Sequence, residues 1–162
     1  MLRLSWLISM GISLFGVMII EHFFTLNPDG ESGAGNLGAV GIALVIPFLL
    51  LSIFTTFRFF LQTSRTAKDN MMRTILLVFG FALLAVVTYY AIEYKNDAFA
   101  ALGGTTKDPG STIYGYPLLN QYTNHIFVNF YTFAIIHTAS ALIGAVSGIF
   151  KPEKPVSNVE EI

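Results

Sequence analysis

Four long apolar segments, separated by short clusters of charge, leave this chain few ways to fold. They cover roughly residues 4–24, 38–61, 74–94 and 126–149, and each approaches or exceeds the roughly 18 to 20 residues that cross about 30 Å of hydrocarbon as a helix. Composition agrees: 54% of residues are hydrophobic and 12% charged, against about a quarter charged in soluble domains. The expected fold class is an all-α integral membrane protein, with four transmembrane helices in an antiparallel bundle. Residues 1–150 make up that domain, and little is left for a soluble one.

Charge placement orients the spans. With the amino terminus inside, Arg3, Arg58, Arg65, Lys68, Arg73, Lys151 and Lys154 fall on the inner side, and only Lys95 and Lys107 on the outer. This asymmetry follows the positive-inside rule, so both termini are expected to be cytoplasmic, in a prokaryotic cell membrane. The formal net charge of -1 hides it and gives no reason to expect nucleic-acid binding. Arg3 before an apolar run resembles a signal peptide, but the run reaches Ile20 and no small-x-small cleavage site follows. The first segment is therefore read as a retained span. The absence of cysteine removes disulfides and thiolate chemistry.

The connections differ in character. Residues 26–35 are rich in Gly, Asp, Asn and Ser and read as a plain outer loop, whereas 62–73 is short and basic and favours a hairpin of spans two and three. The long outer loop 95–125 mixes turn formers with Tyr114, Tyr116, Leu118, Leu119 and Tyr122. So many apolar groups argue for packing on the outer helix ends or on a partner. The tail, 151–162, has Pro152, Pro155 and mixed charge, and reads as disordered.

Helical spacing places Asn129, His137, Ser140, Gly144 and Gly148 on one polar and small face of the fourth span. Ser5, Ser9, Ser13 and Gly16 form a similar stripe on the first. Small residues four apart allow helix backbones to approach closely in lipid, so these nine residues are the expected helix-packing interface, with spans one and four as the natural pair.

Three chemical readings concern the histidines. His137 sits mid-span, where a titratable group is costly; it is either a functional group or a neutral histidine bonded to Ser13, Ser52 or the Ala43 carbonyl that Pro47 leaves without its amide donor. Glu21, His22, Glu93 and His125 collect at outer span ends and are the candidate metal ligands. His22, His125 and His137 are the candidate cofactor ligands, for haem above all, although His137 has no deep histidine partner. No cofactor is the simplest expectation. No Asp, Glu, Lys or Arg is expected at mid-membrane, which is thin provision for a proton pump or charged-solute carrier. No catalytic signature is present.

Together these features describe a small multi-pass protein, not catalytic on its own, that acts as an accessory or structural subunit of a larger membrane complex. Its partners would be the lipid bilayer and other membrane subunits or a second copy of itself. A small oligomeric transporter or channel, and a haem-, quinone- or metal-binding component of a redox enzyme, are the alternatives.

Overall fold

A computed structural model describes residues 1–30, 35–67 and 69–150. The tail from 151 to 162, expected to be disordered, lies outside the described residues, as do Lys68 and part of the first connection. The described residues are all-helical: α1 (Leu2–Phe23), α2 (Leu37–Thr66), α3 (Asn70–Ala101), a single turn α4 (Asn124–Phe127), and α5 (Phe130–Phe150). Four helical stretches, α1, α2, α3 and α4 with α5, are long and apolar enough to cross a membrane. That is the mark of a membrane-embedded protein.

Burial follows the same logic. Ser9, Ser13, Ser52, Thr55, Thr56, Ser64, His137 and Ser140 are buried between helices, while Phe15, Phe54, Phe79 and Ile143 face outward. This inverts the arrangement of a soluble bundle. In lipid an exposed Phe costs nothing, whereas hydroxyls need partners and small side chains let backbones meet.

Local sequence explains the helix ends. Asn36 starts α2 by accepting the Ala39 N–H at 3.3 Å, an N-cap bond. At the other end of α2, the Arg73 guanidinium donates to the carbonyls of Ser64 (3.1 Å) and Ala67 (3.4 Å), which satisfies backbone acceptors that the helix itself leaves free. Helix α3 runs on to Ala101, so the long non-helical connection is 102–123 rather than 95–125. Residues 95–101 contain no breaker, and Gly103 and Gly104, at φ 74° and 130°, supply the first. Thirty-two residues at 1.5 Å each give α3 about 48 Å, so its charged end extends well past a hydrocarbon core.

The fourth span, expected as one helix, is interrupted between Phe127 and Phe130. Asn129 restarts it. Its side-chain oxygen accepts the Thr132 N–H at 2.9 Å, and the Thr132 hydroxyl accepts the Asn129 N–H at 3.1 Å. This is a reciprocal capping box, so Asn129 acts first as a helix start.

Helix α2 is central. It packs along α1 on one side and along α5 on the other, and α5 in turn packs along α3, whereas α1 and α5 touch only slightly. The small faces of spans one and four therefore do not pair with each other as their sequences invite. Both turn to α2. Nor do α2 and α3, although joined by a short connection, pack along their lengths. A Cβ on Gly148 would come within 2.7 Å of the Leu61 carbonyl and the Ser64 Cβ, and one on Gly144 within 3.1 Å of the Leu61 nitrogen. Gly16 lies equally close to Val45 of α2.

The 102–123 segment folds onto the helix ends as a cap. Leu102, Ile113, Tyr122 and Ile126 form its core, with Leu26, Ala98 and Phe99 packed against it. Hydrogen bonds from Thr112 N–H to the Leu102 carbonyl (2.9 Å), from Leu26 N–H to Gln121 (2.8 Å) and from the Tyr122 hydroxyl to Gly30 (2.9 Å) tie the cap to itself and to the first connection.

The close seam gives a direct expectation. Gly144→Leu overpacks against α2 backbone and should lower stability by about 1–3 kcal/mol, read as a lower midpoint of thermal unfolding in detergent. Gly11→Leu, at an exposed position with open space around it, should leave the midpoint where it is.

Candidate functional site

Two places gather polar chemistry: the mid-bundle seam around His137, and a cavity at the capped end. In the seam, His137 is 6% exposed. Its Nδ1 lies 2.8 Å from the Phe133 carbonyl, which can only accept, so Nδ1 carries the hydrogen. Nε2 lies 2.8 Å from Ser52 Oγ on α2, whose single hydrogen is shared between this nitrogen and the Leu49 carbonyl, also at 2.8 Å. Of the three partners open to a buried histidine, Ser52 is the one used. The imidazole is further fixed against the Phe133 ring, 4.0 Å away between centroids.

The rest of the seam is built in the same way. Ser140 donates to the Ile53 carbonyl at 2.8 Å, Ser9 and Thr55 share a hydrogen bond at 2.9 Å, and the Trp6 indole N–H donates to Thr56 at 2.9 Å. Ser13 is buried but bonds back to Ser9 and Met10 of its own helix, and Ser5 lies outside the seam, bonded to Met1. Trp6 also stacks on Phe59 with centroids 4.2 Å apart. A lone tryptophan in an apolar span was the only sequence signal of that role. Beside His137 a cavity of about 190 Å³ opens between α1 and α3, walled mainly by Met10, Phe79, Leu83 and Leu142. Its lining is almost wholly apolar, and both His137 nitrogens are already engaged. The seam fastens helices to one another.

The second place lies under the cap. Glu21, His22, Tyr94, Tyr122 and His125 border a cavity of about 300 Å³. Glu21, at the end of α1, accepts from the Tyr94 hydroxyl of α3 (3.0 Å) and from the Phe130 N–H (3.3 Å). The latter is a donor that the first turn of α5 cannot satisfy internally, and a carboxylate there is favoured by the helix dipole. One carboxylate thus joins three helices. His22 is exposed and its Nδ1 is bonded to the Met18 carbonyl at 3.0 Å. His125 meets the Tyr94 ring edge-on at 5.8 Å, and its buried Nδ1 has no hydrogen-bond partner among the described residues.

The structure therefore brings Glu21, His22 and His125 to one cavity and leaves Glu93 exposed on α3, outside that lining. Among the described residues no three His, Asp or Glu side chains converge closely enough to hold a metal ion. His137 belongs to the separate seam, away from the other two histidines.

The strongest polar contact at this end involves residues that sequence spacing does not single out. Asn124, fully buried, donates to Asn36 Oδ1 at 2.6 Å and to the Phe24 carbonyl at 3.2 Å, and accepts from Asn36 Nδ2 at 3.2 Å. It clamps the end of α1 and the start of α2 to the start of the fourth span. Gly38 makes room for it, since a Cβ there would overlap the Asn124 amide. The partners are 88 residues apart, so no local sequence pattern points to the pair.

If His137 fastens α5 to α2 through Ser52, Ser52→Ala and His137→Phe should not be additive. A double-mutant cycle on unfolding in detergent should return a coupling of about 0.6 kcal/mol, the average measured for side-chain bonds between membrane helices, whose maximum is about 1.7 kcal/mol. Zero coupling would remove the bond from the account.

No protein-family model matches the chain, and no curated protein or solved structure shows significant similarity to it.

Proposed function

We propose that this protein is a non-catalytic accessory subunit of a larger membrane complex, with its helices antiparallel, both termini cytoplasmic, and its cap on the outer face. The single observation that carries this reading is the cap itself. It is ordered by its own apolar core, yet it turns Tyr114 (56% exposed), Tyr116 (42%), Leu118 (58%) and Leu119 (40%) outward. A contiguous set of rigidly held aromatic and aliphatic groups has the composition of a protein interface core. Order matters here, because a preformed surface avoids the conformational entropy that a flexible loop loses on docking. The seam supports the same reading, since both His137 nitrogens are engaged and Ser9, Ser13, Ser52, Thr55, Thr56 and Ser140 are bonded to a neighbouring helix or to their own.

A photo-reactive amino acid at Leu118, activated in native membranes, tests the proposal. The expected product is a saturable adduct with one other membrane protein, absent when the probe stands at lipid-facing Phe81. Adducts only with lipid would overturn the docking role, and adducts only with a second copy would replace the accessory subunit with a homo-oligomer.

The cap also carries a pH expectation. The carboxylate of Asp108 is held below its ordinary 3.8 by the Thr105 N–H (2.7 Å), and further by the Thr105 hydroxyl (2.8 Å). A depressed carboxyl contributes stability that is present above its unfolded value and is lost as pH falls through the folded one. The 104–111 turn should therefore hold at neutral pH and loosen only in strong acid. Amide exchange at Thr105 should speed up in Asp108→Ala at pH 7, while the native chain keeps its protection there.

A further inference from the structure

On α2, Arg58, Gln62 and Arg65 stand four and three residues apart and share one helix face. They surround a cavity of about 220 Å³ floored by Leu61. Every polar side chain in its lining is a hydrogen-bond donor, and none is acidic. Gln62 also borders a neighbouring cavity of about 280 Å³ that takes in Arg3. Arg65 supplies the second observation: its Nε is buried and has no hydrogen-bond partner among the described residues. The Nε itself is closed off, but Arg65 as a whole is only half-buried and Arg58 and Gln62 are exposed, so their remaining N–H donors are open to an acceptor outside the chain. Arg73, at the same end, is already committed to the carbonyls of Ser64 and Ala67.

A phosphate fits these donors. Guanidinium groups present planar forks that match phosphate oxygens, and the Gln62 amide adds a further donor. Continuity along the helix distinguishes a lipid phosphate from a soluble one. One to two turns before Arg58, on the same side of α2, Leu51 and Phe54 are 51% and 58% exposed. An acyl chain lying along Leu51 and Phe54 brings its headgroup to Arg58 and Arg65, where the apolar stretch gives way to charge. We propose that this face of α2 binds one anionic phospholipid, its phosphate held by Arg58, Gln62 and Arg65.

Native mass spectrometry of the delipidated protein, titrated with phosphatidylglycerol or phosphatidylcholine, tests the site. One phosphatidylglycerol should be retained in preference to phosphatidylcholine. Arg58→Gln and Arg65→Gln should each weaken that retention about fivefold, the effect of one basic residue at an anionic surface. Arg73→Gln, which removes the same charge from the same end, should not. Inorganic phosphate at millimolar concentration should fail to displace the lipid. Equal retention of the two lipids, an equal loss in Arg73→Gln, or displacement by inorganic phosphate would each overturn the proposal, the last by making this a soluble-anion site. Circular dichroism matching the native chain certifies that each variant is folded before it is compared.

Discussion

The contact between α2 and α5 carries the most structural weight, because it is where two helix backbones come closest and where mid-bundle hydrogen bonds cross between helices. Gly144 and Gly148 let α5 settle against the Phe57–Ser64 stretch of α2, and Ser140 and His137 then reach Ile53 and Ser52. Lipid provides no hydrophobic force to press two apolar helices together, so dispersion at short range and buried hydrogen bonds must do it. The two effects depend on each other. A bulkier residue at Gly144 would move α5 outward and stretch the 2.8 Å bonds, whereas loss of those bonds would leave little to fix the rotation of α5 on α2. Helix α3, with Val87 as its only buried residue, is held mainly by α5 and inherits its position from the seam.

The four apolar helices and the close-packing glycines were legible in the sequence because both are periodic signals carried by one segment at a time. The partner of each face was not. Spans one and four each advertise a small stripe, but α2 offers Ser52, Thr55, Thr56 and Ser64 on the sides that meet them, a pattern diluted by the phenylalanines between. Helix ends were misjudged for a different reason. Hydropathy reports where lipid stops, whereas the backbone continues until a residue breaks it. The two disagree at 95–101, where Lys95 and Asp97 leave the lipid but remain helical. They disagree again at Asn129, which lies within an apolar stretch and still recaps the helix.

The candidate site was legible only in part. Glu21, His22 and His125 share a cavity, as similar depth at the span ends allows, but depth says nothing about rotation around a helix axis. Glu93 points away, and its neighbour Tyr94 takes the inward position and the bond to Glu21. A shift of one residue turns a helical side chain by about 100°. Without contacts across the bundle, sequence alone cannot choose between Glu93 and Tyr94.

Unused hydrogen-bonding capacity is unevenly distributed in this molecule, and that bears on what it can do. Among the described residues the buried polar side-chain atoms without partners belong to Ser64, Arg65 and His125. Ser64 and Arg65 lie at the basic end of α2, and His125 lies under the cap. Between those ends, His137, Ser140, Ser9 and Thr55 are bonded. A buried polar atom left unpaired costs free energy, and in this molecule that cost falls near the two ends of the bundle. In the seam, hydroxyls and the imidazole bond to a neighbouring helix or to their own, because lipid offers no substitute. Among the described residues, then, the buried polar atoms without partners lie toward the two ends of the bundle, while its middle is held by bonds between helices.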